Sequence, residues 1–217
     1  VDNKSKPGVL LAHVAIVLVL SQLAIGRVDS WEILALAASH LVIDAIKIRS
    51  KRDDLFAFLL DQAAHITAII ALTIYAPALW ADGYWADILP AIPHIMLLIT
   101  GAILVTRAGG FIVGKLMDLH TAPVEDQDGL PKGGLTIGYL ERGLIFVLVL
   151  GGQPGSIGFL IAAKSILRFG AVNENRSASE YVIIGTLASF GWALLVALAV
   201  TNLQSYLPTL EITLPRP

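Results

Sequence analysis

The chain has 217 residues, of which 56% are hydrophobic and only 15% are charged, and its mean hydropathy is +0.75. A soluble domain of this length is far less apolar, so the composition predicts an integral membrane protein. The net charge of −2 offers no basic face for nucleic acid. The absence of cysteine excludes disulfides, thiolate ligands, a cysteine nucleophile and iron–sulfur clusters.

Apolar runs in chain order predict an all-α, polytopic bundle of about seven transmembrane helices in one domain. They cover about 8–26, 31–49, 54–79, 88–106, 134–151, 154–169 and 179–203. The segment WADGYWAD is typical of an interfacial loop. Residues 107–119 predict either an amphipathic extension of the fourth helix or a separate interfacial helix, with Gly109–Gly110 as a break.

The basic residues predict an orientation. Alternating spans from an inner N-terminus leave Lys4, Lys6, the turn KIRSKR and the loop at 120–133 in the cytoplasm, as the positive-inside rule requires. We therefore expect a multi-pass protein with its N-terminus in the cytoplasm and its C-terminus outside.

Ionisable and polar residues interrupt the second and third helices on both sides of the basic turn. They are His40, Asp44 and Lys47 before it, and Asp61, Gln62 and His65 after it. Such residues are costly in lipid and indicate a functional site. In an antiparallel pair joined by a short turn, His40 is level with His65 and Asp44 with Asp61. We therefore predict a divalent metal, either zinc or iron or manganese, held by His40, Asp44, Asp61 and His65.

Polar groups of other helices are predicted at comparable depth from the cytoplasmic end. At about 1.5 Å per residue, His13 lies roughly 8 Å in, and Glu141 and Arg142 lie roughly 10–12 Å in. Lys164 and Arg168, four residues apart, share a helix face that suits a phosphate, a carboxylate or a lipid headgroup. We predict catalytic roles for Glu141 and Lys47, and substrate binding by Arg142, Lys164, Arg168, His13 and Gln62.

At HLVIDAIK followed by FLLDQAAHI, the sequence resembles the bacterial membrane family catalogued as domain of unknown function 3307. The family pattern His-x-x-x-Asp-x-x-Lys, then Asp-Gln-x-x-His, matches the six polar residues of the second and third helices, and the resemblance covers mainly the first third to half of the chain. Members usually begin with a helix of the form His-Leu-x-x-Asp-Phe-x-x-Gln, whereas this chain opens at Val1 with the segment that would follow it. The family is bacterial, so the resemblance implies a multi-pass location in a bacterial inner (cytoplasmic) membrane. It carries no settled activity, so the resemblance implies a site without naming a substrate.

Three classes of function fit these patterns. The first is a metal-dependent integral-membrane hydrolase or transferase that acts on an anionic lipid or lipid-linked substrate from the cytoplasmic leaflet. The second is a proton- or ion-coupled transporter, with the cluster as a relay. The third is a non-catalytic subunit of a larger membrane complex, in which the cluster is a hydrogen-bonded network. The expected partners are membrane lipids and either further copies of the chain or a larger complex, without nucleic acid.

Overall fold

In a computed structural model, residues 7–120, 130, 132–169 and 176–208 are described. Helices account for the regular structure of these residues, and no strand occurs among them, which confirms the all-α prediction. The α-helices are α1 (Pro7–Ile25), α2 (Trp31–Ser50), α3 (Leu55–Tyr75), α4 (Trp85–Ile88), α5 (Ile92–Ile103), α6 (Gly109–Met117), α7 (Gly133–Leu150), α8 (Ile157–Phe169) and α9 (Arg176–Gln204).

Apolar helices of membrane-spanning length mark the chain as a membrane protein. Within the described residues, five stretches are long and apolar enough to cross a bilayer: Pro7–Ile25, Leu55–Tyr75, Ile92–Met117, Gly133–Leu150 and Ser179–Gln204. The prediction of about seven spans is therefore wrong in number.

The two remaining predicted spans fail for different reasons. Helix α2 has 20 residues, but it carries Glu32 in its first turn, Asp44 in its second half, and Lys47 and Arg49 in its last turn. Helix α8 has only 13 residues, whereas a bilayer core needs about 20. Most of the predicted cytoplasmic loop, at 121–129 and 131, lies outside the described residues.

The chain folds as two compact units, Val1–Ile92 and Pro93–Pro217. In the first unit, α1 packs on α2 and α2 packs on α3. The α2–α3 turn is short because α2 ends at Lys51, which has a left-handed backbone (φ 52°), and Asp54 caps α3 by accepting a hydrogen bond from Ala57 N–H at 2.7 Å. This tight turn makes α2 and α3 an antiparallel pair.

The loop that follows α3 returns to the end of α1. Trp85 Nε1 donates to the Leu23 carbonyl at 2.7 Å, and Tyr84 N–H donates to the Gly26 carbonyl at 3.2 Å. Gly26 has φ +76°, and a Cβ there would meet Trp85 Cδ1 at 2.8 Å, so both the backbone and the packing require glycine. The Trp-rich segment thus closes one end of the first unit.

The second unit has its core between residues Leu104–Ala108, α7 and α9. Val105, Ile145 and Ala193 are fully buried at its centre. Residues Leu104–Ala108 form a π-helical segment that joins α5 to α6. The helix therefore continues to Met117 without a break at Gly109–Gly110, and the amphipathic-extension alternative fits better than a separate helix.

Side chains from two other helices hold the π-helical segment. Arg142 of α7 donates to the carbonyls of Val105 and Thr106 at 2.9 and 3.1 Å. Trp192 of α9 donates to the Leu104 carbonyl at 2.9 Å. Such donors satisfy carbonyl groups where the regular helical ladder is interrupted.

Candidate metal centre

The first unit gathers three histidines and two aspartates from its three long helices. Helix α1 supplies His13, α2 supplies His40 and Asp44 one turn apart, and α3 supplies Asp61 and His65 one turn apart. The rings of His40 and His65 have centroids 4.5 Å apart. The antiparallel pairing of α2 and α3 thus places His40 beside His65, as the spacing predicts.

One group of ligand atoms consists of His13, His40 and Asp44. The two Nε2 atoms are 3.2 Å apart, and Asp44 Oδ2 lies 3.7 Å from that of His13 and 3.5 Å from that of His40. In a tetrahedral site with bonds of about 2.0–2.1 Å, ligand atoms lie about 3.3–3.4 Å apart. The three atoms therefore have the spacing of one face of a metal tetrahedron.

A second group consists of Asp44, Asp61 and His65, which each offer one ligand atom within 4.8 Å of the others. His65 Nδ1 is 2.8 Å from the Asp61 backbone carbonyl. A carbonyl can only accept, so Nδ1 carries the proton and Nε2 of the neutral ring carries the lone pair. Metal-binding histidines are commonly oriented in this way.

Two atoms of the second group lack hydrogen-bond partners among the described residues. They are the buried atoms His65 Nε2 and Asp61 Oδ1. His65 Nε2 lies 3.6 Å from Asp44 Oδ1. This distance is beyond that of a hydrogen bond but close to the separation of two ligand atoms in a tetrahedral metal site. A buried lone pair without a donor is costly, and a cation is one group that would satisfy both atoms.

Neighbouring side chains hold Asp61 through its other oxygen. Lys47 Nζ lies 2.6 Å from Oδ2, and Gln62 Nε2 donates to the same atom at 3.0 Å. Asp61 is 8% exposed. Lys47 and Gln62 therefore orient the carboxylate and leave Oδ1 directed elsewhere, an arrangement typical of the groups that position metal ligands.

A cavity of about 300 Å³ adjoins the cluster. Apolar side chains of α2 and α3, such as Ile46 and Phe56, form much of its wall. Its polar lining comes from Lys47, Ser50, Arg52 and Asp61. Its volume lies at the lower end of the range for small-molecule pockets, and its lining suits an amphipathic anion.

The polar residues predicted on α7 and α8 have partners inside the second unit. Lys164 Nζ lies 2.7 Å from Glu141 Oε2, and both side chains are largely buried. Arg142 is 3% exposed and donates to backbone carbonyls and, at 3.0 Å, to Ser189 Oγ. The Arg168 side chain lies outside the described part of the chain.

Two residues have positions that sequence reasoning did not assign to them. His13 was predicted to bind substrate, but it lies among the candidate ligands; its predicted depth was the signal. The sequence predicts Arg52 only as a residue of the basic turn, whereas in the structure it lines the cavity. A periodic pattern could not reveal either position, since α1 is apolar on all sides and Arg52 precedes α3.

The fold and the cluster define an all-α membrane protein with a histidine- and aspartate-rich centre. Residues 2–85 match the family model described as "Protein of unknown function (DUF3307)". The match confirms the predicted resemblance, and it contains all the candidate ligands of the first unit. No curated protein and no solved structure matches the chain.

Proposed function

We propose that this protein is a metal-dependent membrane hydrolase or transferase whose centre lies in the first unit. The observation that carries the proposal is the convergence of His40, Asp44, Asp61 and His65, with the buried His65 Nε2 and Asp61 Oδ1 lacking hydrogen-bond partners among the described residues. This is the ligand set predicted from the sequence. Zinc, iron and manganese all accept imidazole and carboxylate ligands.

A bound divalent ion would supply Lewis acidity and lower the pKa of a bound water. The chain's own residues hold the ligands: Lys47 and Gln62 orient Asp61, and the Asp61 carbonyl orients His65. In hydrolysis, the water oxygen bonds to a carbonyl carbon or to phosphorus, the bond from that atom to the alcohol oxygen breaks, and the leaving alcohol takes up the proton that the water loses. In transfer, an acceptor hydroxyl replaces the water.

The cavity supports an anionic lipid or lipid-linked substrate. Lys47 and Arg52 offer positive charge to a phosphate or carboxylate, while Ile46 and Phe56 offer an apolar wall to an acyl chain. We assign headgroup binding to these residues because they line this cavity, where a headgroup would compete with the carboxylates of Asp61 and Asp54 that pair with them. A substrate of this kind would come from the cytoplasmic leaflet, the side proposed from the basic turn, of a bacterial inner membrane, the location that the family resemblance implies.

The test begins with metal analysis of the detergent-purified protein by mass spectrometry. We expect a stoichiometric divalent metal in the wild type, its loss in His65→Ala and Asp61→Ala, and its retention in His120→Ala, which changes an exposed histidine outside the cluster. Mixed micelles containing phosphatidic acid or phosphatidylglycerol then test turnover, with phosphatidylcholine as the zwitterionic control. A folded wild type without metal, or turnover unaffected by Asp61→Ala, would overturn the proposal.

One observation favours proton- or ion-coupled transport as a second candidate. His13 Nε2 and His40 Nε2 lie 3.2 Å apart, and titratable groups continue through Asp44, His65 and Asp61. Such a row is a plausible proton path. Proton flux into liposomes that His40→Ala abolishes, with no metal in the protein, would favour this function over the enzyme.

A further inference from the structure

Asp44 directs its two carboxylate oxygens at different ligand groups. Oδ2 lies 3.5 Å from His40 Nε2 and 3.7 Å from His13 Nε2, whereas Oδ1 lies 3.6 Å from His65 Nε2. We propose that the centre holds two divalent cations bridged by the Asp44 carboxylate, an inference that rests on the proposed metal centre. His13 and His40 bind the first ion, and Asp61 and His65 bind the second.

The spacing of the nitrogen and oxygen atoms supports two positions better than one. His40 Nε2 and His65 Nε2 lie beside different oxygens of the Asp44 carboxylate. A single ion at usual bond lengths could therefore bind all the ligand atoms of only one of the two groups. Two ions that share a carboxylate lie about 3.5–4 Å apart in known two-metal sites. The bridging arrangement uses the three imidazoles of the cluster and satisfies Asp61 Oδ1 and His65 Nε2, the two atoms of the cluster that are buried without a hydrogen-bond partner among the described residues.

The two positions differ in exposure. The side chain of His13 is 55% exposed, whereas those of His65 and Asp61 are 19% and 6% exposed. The ion beside His13 has three protein ligands and room for water, as in catalytic zinc sites. The ion beside Asp61 is more enclosed and should exchange more slowly. We therefore expect one tightly held ion and one that a chelator removes first.

The charge of the loaded centre indicates the substrate. Two divalent cations exceed the charge of the two carboxylates Asp44 and Asp61, and Lys47 adds a further positive charge next to Asp61. A net positive centre beside the cavity suits a phosphoryl group, whose oxygens two ions would clamp during in-line displacement. The inference thus favours a phosphoester of a lipid over a carboxylic ester.

Metal stoichiometry after reloading tests the inference. The detergent-purified protein is stripped with a chelator, reloaded with Zn²⁺ and dialysed, and its metal content is measured alongside circular dichroism. We expect about two ions per chain in the wild type and in His120→Ala, about one in His13→Ala, and close to none in Asp44→Ala. His13→Gln, which keeps a polar side chain, is the second variant if His13→Ala unfolds.

The outcomes separate this inference from the proposed function. One ion in the wild type, whether retained or lost in His13→Ala, would overturn the two-ion centre while leaving a metal site. No ion in the folded wild type would overturn both. Reloading with Mn²⁺ adds an independent readout, since a bridged pair gives an exchange-coupled paramagnetic resonance spectrum. The spectrum of isolated ions in the fully loaded wild type would also contradict the bridge.

Discussion

Replacing Arg142 by lysine is expected to destabilise the protein at least as much as replacing it by methionine. The guanidinium is 3% exposed and donates three hydrogen bonds, to the carbonyls of Val105 and Thr106 and to Ser189 Oγ, at 2.9–3.1 Å. It therefore joins α7 to α9 and to the π-helical segment. Its planar shape matters more than its charge, because a lysine ammonium cannot reach all three acceptors, two on the π-helical segment and one on α9.

The magnitude follows from these contacts. A hydrogen bond from a charged group contributes about 1.5–3 kcal/mol, while burying the charge costs several kcal/mol. Methionine loses the bonds and also removes the burial cost, so we expect a net loss of about 2–4 kcal/mol. The lysine variant keeps the cost of a buried charge but makes fewer hydrogen bonds, so it should lose at least as much stability as the methionine variant.

Thermal unfolding in detergent, followed by tryptophan fluorescence, measures this effect. The expected loss corresponds to a fall in Tm of about 4–16 °C, by the scaling of soluble domains of this size. Arg107→Met is the matched control, because Arg107 is an exposed arginine of the same π-helical segment. A wild-type Tm in Arg142→Lys together with a lowered Tm in Arg142→Met would refute the argument from geometry.

Two further predictions concern the second unit. Gly109→Ala should lower Tm by several degrees, because the added Cβ would meet Trp192 Cδ1 at 2.5 Å. Gly114→Ala is the control and should leave Tm unchanged or raise it, because nothing lies within 4 Å of the added Cβ. Equal Tm values in the two variants would contradict this prediction. Glu141→Gln and Lys164→Met should each destabilise by about 3 kcal/mol by leaving a charge unpaired, and the double variant should recover much of that loss. Additive losses in denaturant titrations would show that the pair is not coupled.

The register of α2 and α3 could be predicted because a short turn fixes it. Once the turn was located at KIRSKR, the antiparallel geometry put His40 level with His65, and their ring centroids are 4.5 Å apart. His13 could not be assigned in the same way. Helix α1 is apolar on every side, so its sequence contains no information on which face packs against α2.

The second unit shows why the sequence does not predict which groups the charged side chains contact. Lys164 and Arg168 share a helix face, and sequence alone cannot tell that Lys164 finds Glu141 on α7. The π-helical segment could not be predicted from the sequence either. It depends on hydrogen-bond donors from Arg142 and Trp192, which are distant from it in the sequence. The Gly109–Gly110 pair, which indicated a break in the helix, instead allows those two side chains to approach the backbone closely.

The residues that disqualify α2 as a simple membrane span are also those that tie it to its neighbours. Charged groups within a bilayer are tolerated when they pair with one another or face a polar cavity. Lys47 pairs with Asp61 of α3, and Asp44 lies beside His13 of α1 and His65 of α3. The polar face of α2 is therefore matched by groups of α1 and α3 within the first unit. Replacing these side chains should therefore weaken the packing of the first unit and, under the proposed function, its metal binding as well.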